Sequence, residues 1–147
     1  MKSLKTYVLD ADDIVIGRRG EIGRCAVIEA EQAGWLCGTG CFYIKLSDGL
    51  NSYFLVSLLR AAKYRARLEK LATGATMKNL SNTSLQNLVI AIPPSVEAQD
   101  ELVRLLDELS AGARCLETIY RQKLTALAEL KQSILQKAFA GQLTMEN

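Results

Sequence analysis

The segment Gly17-Arg18-Arg19-Gly20-Glu21-Ile22-Gly23 sets two guanidinium groups side by side on a stretch whose three glycines let the backbone approach another surface closely. An arginine fork matches the oxygens of a phosphate and also the O6/N7 edge of guanine, so Arg18 and Arg19 could position DNA or read it. A hairpin turn carrying solvated charges fits the same spacing. Further on, Arg60, Lys63, Arg65, Arg67 and Lys70, with Glu69 the one acid among them, put a net +4 on eleven residues. Positions 60, 63, 67 and 70 would share one face of a helix, which places Lys63 and Arg67 to hold phosphates or simply to face water. A third segment, Thr73-Gly74-Ala75-Thr76-Met77-Lys78-Asn79-Leu80-Ser81-Asn82-Thr83, is rich in small hydroxyl and amide side chains. Thr73, Thr76, Lys78 and Asn79 could bond phosphates and base edges, or make turns for their own backbone.

Several chemistries are excluded by composition. The chain has no histidine, which removes imidazole bases, Ser-His-Asp and Cys-His nucleophiles and His-ligated zinc. Cys25, Cys37, Cys41 and Cys115 do not form two close pairs, so free thiols of a reducing compartment are expected and no metal site. Ile92-Pro93-Pro94-Ser95 differs from the (Asn/Asp)-Pro-Pro-(Phe/Tyr) loop of amino-methyltransferases at both flanking positions, where Ile92 cannot accept from an amino group and Ser95 cannot stack on a base. No glycine-rich dinucleotide fingerprint occurs either, so no cofactor is implied and the chain reads as a non-enzyme.

These segments need a scaffold. At 147 residues, 49% apolar and 23% charged, the chain has the composition of one globular domain with room for an appendage. The net charge is only +2, but residues 1–95 carry 12 Lys+Arg against 8 Asp+Glu while residues 96–147 carry 6 against 8, so the basic excess lies in the N-terminal two thirds. No apolar run is long enough to span a membrane, and the N-terminus leads into no signal-peptide core, so a soluble cytoplasmic protein without a membrane partner is expected. Residues 6–16, 25–30, 41–46 and 85–92 read as short strands bounded by turn residues, and 51–71 reads as one helix. Both prolines fall at 93–94 and end this α+β part, with Ser95 ready to cap the next element. That element reads as a single helix to about residue 140, closed by Gly141, that would run about 66 Å. Leu102, Leu109 and Leu116 recur every seven residues, then Tyr120, Leu127 and Ile134 do so after a four-residue step, which is a stutter in a coiled-coil seam. Leu105, Leu106, Ile119, Leu124, Leu130, Leu135 and Phe139 widen the stripe, which must meet a second helix in this chain or another. The expected division is therefore a small mixed α/β domain over 1–94, a long coiled-coil-type helix over 95–141 and a tail over 142–147.

Four segments carry a resemblance: Asp13 through Gly23, Thr73-Gly74-Ala75-Thr76, Leu88-Val89-Ile90-Ala91-Ile92-Pro93-Pro94, and Leu130 through Leu143, which reads Leu-Lys-Gln-Ser-Ile-Leu-Gln-Lys-Ala-Phe-Ala-Gly-Gln-Leu. In this order they resemble the specificity subunit of type I restriction-modification systems, nearly end to end and most specifically in the closing segment. The resemblance implies a target-recognition domain that reads one half of a split DNA site. It also implies a long helix that packs against its counterpart as a spacer and docks the modification subunits, and through them the restriction subunit. Methyl transfer and cleavage would belong to those other chains.

The chain departs from the family in two respects. Members usually carry two recognition domains and two long helices, and this chain has room for one of each, beginning where a recognition domain is already under way. The expectation is therefore a half-length, N-terminally shortened subunit that forms a homodimer through its helix and reads double-stranded DNA as a split palindrome. The alternative is a shortened interaction subunit whose helix pairs with relatives without specific DNA binding. A smaller departure is Val96-Glu97-Ala98-Gln99, where the family's helix start commonly reads Glu-Gln without the alanine.

Overall fold

The computed structural model describes residues 7–74 and 78–142. It divides into two compact units, Met1–Arg104 and Leu105–Asn147. The first holds a three-stranded antiparallel sheet of β1 (Ile14–Gly17), β2 (Cys25–Val27) and β3 (Cys41–Ile44) in the order β2-β1-β3. Ile14 pairs with Val27 on one side and Ile44 on the other, and this register turns Ile14 and Ile16 into the core, both fully buried, with Val15 facing away. The strands are shorter than the 6–16, 25–30 and 41–46 expected. A turn at Asp10–Asp13 interrupts the first, with Asp12 at φ 66 and the Asp13 carboxylate accepting from the Asp10 amide at 2.9 Å and from Lys45 Nζ at 2.9 Å. A 3-10 turn, Ala30–Gln32, closed by a reciprocal bond set with Glu29, stops the second.

Two helices cover the sheet, α1 (Ser52–Arg60) and α2 (Ala62–Leu71), where the sequence reads as one. Ala61 breaks them with an extended ψ of 139. The reason lies in the phase of the apolar positions. Leu55 and Leu59 are one turn apart, but the next core residue, Tyr64, comes five positions later, about 140° around a straight helix at 3.6 residues per turn. Breaking at Ala61 brings Tyr64 and Leu68 back to the core, where Leu68 is fully buried beside Ile14, Ile16, Leu59 and Leu80.

The expected strand over 85–92 does not form. Ser81 Oγ accepts from the Ser84 amide at 3.0 Å and caps α3 (Asn82–Gln86), which takes Leu85. Leu88 and Ile90 then pack against the core while Val89 is 80% exposed, a strand-like alternation without a ladder, because no described strand lies alongside.

After the prolines, α4 (Val96–Phe139) is one unbroken helix of 44 residues, passing through Gly112. Its close is a Schellman motif: Gly141 sits at φ +71, the Gln142 amide donates to the Lys137 carbonyl at 2.9 Å and the Gly141 amide to Ala138 at 3.2 Å. The first turns of α4 belong to the first unit and are tied there by Gln99, the one fully buried polar side chain among the described residues. Its Oε1 accepts from the Asn51 amide at 2.8 Å, and its Nε2 donates to the carbonyls of Gly49 at 3.1 Å and Pro93 at 3.3 Å. Along the rest of α4, Leu109, Leu116, Tyr120, Leu127 and Ile134 are exposed, as is Leu102 nearer its start.

Candidate nucleic-acid interface

The Arg18-Arg19 segment is the hairpin connecting β1 to β2. The Gly17 amide donates to the Arg24 carbonyl at 2.7 Å, and the Gly23 amide to the Gly17 carbonyl at 3.0 Å, which folds the loop on itself. Gly23 has φ +79, and a Cβ there would stand 3.0 Å from Leu68 Cδ1, so the loop base sits directly on the core and accepts no side chain. Buried Ile22 anchors the same turn from within.

From this base the arginines meet the polar segment some sixty residues later. The Arg18 carbonyl accepts from the Leu80 amide at 2.9 Å, and Arg19 forms an antiparallel bridge with Asn79. Asn79 is in turn paired to Thr73, donating to its carbonyl at 2.8 Å and accepting from its amide at 3.1 Å. Backbone bonds therefore bring Arg18 and Arg19 beside Thr73 and Asn79 on one stretch of surface, although the sequence separates them into two segments, while Lys78, next to Asn79, lines a separate concavity. Thr76 lies outside the described residues.

Within this surface the two arginines differ. Arg19 is exposed. Arg18 is half-buried: its Nε donates to Asn79 Oδ1 at 3.1 Å, and its guanidinium carbon stands 4.4 Å over the ring of Phe42, from β3. Its own amide donates to the Gly40 carbonyl at 3.0 Å, so both backbone and side chain are held. Both arginines line a groove of about 1050 Å³, together with Thr39, Tyr43, Asn82 and Gln86 among others.

The basic helix face changes more. Arg60 ends α1, not α2, and its Nε and Nη2 donate to the Cys25 carbonyl at 3.1 and 2.8 Å, so it leaves the row expected with 63, 67 and 70. Lys63, Arg67 and Lys70 remain an exposed row on α2, with Arg67 stacked 5.5 Å from Tyr64, but line neither of the two main concavities. The second concavity, of about 710 Å³, is lined instead by Arg24, Arg60, Arg65 and Lys78, with Glu21 and Glu69. Glu21 is held by Arg24 at 2.8 Å. Arg24 and Arg65 escape a reading by helical spacing, since only the break at Ala61 turns Arg65 toward the hairpin; the excess of cations over acids was the one available signal.

Cys25 and Cys37 are muted as nucleophiles. Burial pushes the Cys25 thiol above its ordinary value, with Arg60 pulling the other way, and burial followed by neighbouring Cys41 does the same at Cys37. Such thiols hold their protons near neutral pH and are poor nucleophiles and ligands. Among the described residues no three Cys, Asp or Glu side chains converge as a metal site, and no helix is long and apolar enough to cross a membrane.

Residues 1–126 match the family model for the type I restriction modification DNA specificity domain. The chain belongs to that family. Among curated relatives, the type I restriction enzyme StySPI specificity subunit of Salmonella potsdam is 33% identical over 99% of this chain and 32% of its own length. The EcoKI specificity subunit of Escherichia coli K12 is 31% identical over 67% of this chain and 21% of its length. This specificity-domain chain thus spans about a third of the first relative, or less of others. Among solved structures, the HsdS subunit from Thermoanaerobacter tengcongensis superposes with a TM-score of 0.62 at 29% identity, covering 92% of this chain and 31% of that one. A structure described for complex assembly and conformational transition of the type I R-M system gives 0.69 at 27% identity, covering 93% and 33%. The specificity-domain family thus accounts for both the small mixed sheet unit and the long helix.

Proposed function

We propose that this chain is a sequence-reading component of a type I restriction-modification complex. Its sheet unit reads one half of a bipartite double-stranded DNA site. Its long helix pairs with a second such helix, in the simplest case from another copy, and docks modification subunits that in turn carry the restriction subunit. Methyl transfer and cleavage belong to those subunits, and the work is done in the cytoplasm, where the DNA is. The observation that carries this reading is the backbone pairing that brings Arg18 and Arg19 of the hairpin against Asn79 and Leu80, with Thr73 paired to Asn79 and Lys78 next to it. Three cations beside an amide and a hydroxyl suit phosphate positioning next to a base-edge contact.

Phosphate contacts fall to Arg19 and to Lys78, Arg65 and Arg24 around the second concavity, with the Lys63 and Arg67 row an outer margin. The exposed stripe from Leu102 to Ile134 gives the second helix its seat. Each leucine fully buried there would contribute about 1.5–3 kcal/mol, enough for several to hold two chains together.

Two measurements test this together. Sedimentation of the full chain should give a dimer that Leu116→Asp converts to monomer, and gel shifts should show a preferred duplex whose binding weakens evenly across sequences in Lys78→Ala, with a salt slope lower by about 1 for each copy, hence about 2 for the dimer. A monomeric wild type removes the pairing. Dimerisation without any sequence preference, at low or moderate salt, favours instead the alternative that the exposed stripe of α4 also supports: an interaction subunit that pairs through its helix alone.

A further inference from the structure

The two arginines of the hairpin are adjacent in sequence and unlike in their surroundings. Arg18 has its backbone held on both sides, by Gly40 and by Leu80, and its side chain held twice, by Asn79 at Nε and by the Phe42 ring beneath it. What remains of its fork is the pair of terminal nitrogens, and the residue lines the groove. Asn79 is itself locked to Thr73 through both backbone groups, so the buttress is held by backbone bonds on its own side as well.

An unrestrained arginine loses its rotamer freedom when it docks, and it can reach a phosphate from many directions. One already ordered by folding presents its nitrogens at a fixed angle and position, which is what discrimination between base edges needs and what phosphate binding does not. Exposed Arg19 has the opposite character. We infer that Arg18 reads a guanine through its terminal nitrogens, and that Asn79 is its positioning residue and not a base contact.

This rests on the DNA-reading function proposed above and divides the roles within that site. Its consequence is that Arg18 confers preference at one base pair, whereas Arg19 contributes affinity to every sequence. A bidentate guanine contact discriminates about 5- to 150-fold against other bases.

The experiment is affinity selection by the full chain from a random-sequence duplex pool, with wild type, Arg18→Lys, Asn79→Ala, Asn79→Asp and Arg19→Ala compared at one salt concentration. Wild type should enrich a motif containing a guanine that Arg18→Lys no longer selects, with the other positions of the motif and binding to unselected DNA retained. Asn79→Ala should weaken the same position, and Asn79→Asp, which keeps an acceptor for Nε, should restore it. Arg19→Ala should lower enrichment of all sequences alike. An unchanged motif in Arg18→Lys, an even loss across positions, or failure of Asn79→Asp to rescue overturns the assignment. No motif from wild type sinks the DNA-reading function itself, and the inference with it, in an arm that contains no substitution.

Discussion

Gln99→Met isolates the hydrogen bonds that tie the long helix to the sheet unit, because methionine nearly matches the volume and leaves little cavity. Asn51 is the N-cap of α1, and its side chain accepts from the Phe54 amide at 2.9 Å. In a capping box the third helical residue returns the favour to the N-cap amide, but here that residue is Phe54, which has no acceptor. Gln99 supplies it from α4, at 2.8 Å, and Asp100 adds a bond from Asn51 Nδ2 at 2.6 Å. Removing the Gln99 amide orphans one backbone N–H and two carbonyls. A buried unsatisfied group costs about 1–3 kcal/mol, and the two carbonyl bonds at 3.1 and 3.3 Å are the longer ones, so the N–H dominates and the total comes to about 2–4 kcal/mol. With a urea dependence of about 2 kcal/mol per molar, the midpoint followed by fluorescence of Trp35, in the sheet unit, should fall by about 1–2 M at fixed chain concentration. Amide exchange at Asn51 should accelerate in step. A midpoint within about 0.3 M of wild type, with Asn51 equally protected, would refute the capping box completed from α4.

Two glycines in the same hairpin should respond differently to alanine. Gly20, at φ +68 with nothing within 4 Å of a Cβ, should cost about 1–2 kcal/mol for the left-handed backbone alone. Gly23, at φ +79 and 3.0 Å from Leu68 Cδ1, should cost about 2–4 kcal/mol because the buried leucine must also shift; equal losses of melting temperature would contradict that packing. Stability should also fall on the alkaline side. Cys25 holds its proton in the folded chain above the ordinary value of 9.0, so the unfolded thiol ionises first, and stability that is complete below that pH declines as pH rises past it. Urea midpoints at pH 8 and pH 10 should converge in Cys25→Ala relative to wild type, and an identical drop in both would dismiss the thiol as the cause.

Seven-residue spacing, two adjacent prolines and a terminal glycine were enough to read α4 and its end, because a long solitary helix is specified by local periodicity and capping. The Arg18-Arg19 turn was legible from its three glycines, which are likewise a local signal. Helix 51–71 was not: the five-residue step from Leu59 to Tyr64 carries the break, yet a count of apolar residues in a window averages across it. The 85–92 segment kept its alternation and lost its ladder, since a strand is defined by a neighbour that local sequence does not contain.

What the chain's own order of residues determined is the chemistry available: two guanidinium groups on a glycine turn, an excess of base before Pro93, no imidazole, and an apolar stripe that water alone cannot satisfy. Tertiary structure decided which of these act together. It set Asn79 against Arg18, drew Arg60 away to the Cys25 carbonyl, turned Arg65 toward Lys78 and buried Gln99 under α1. Each of these pairings joins residues from separate elements, and such contacts depend on how core packing brings those elements together, which spacing along the chain does not encode.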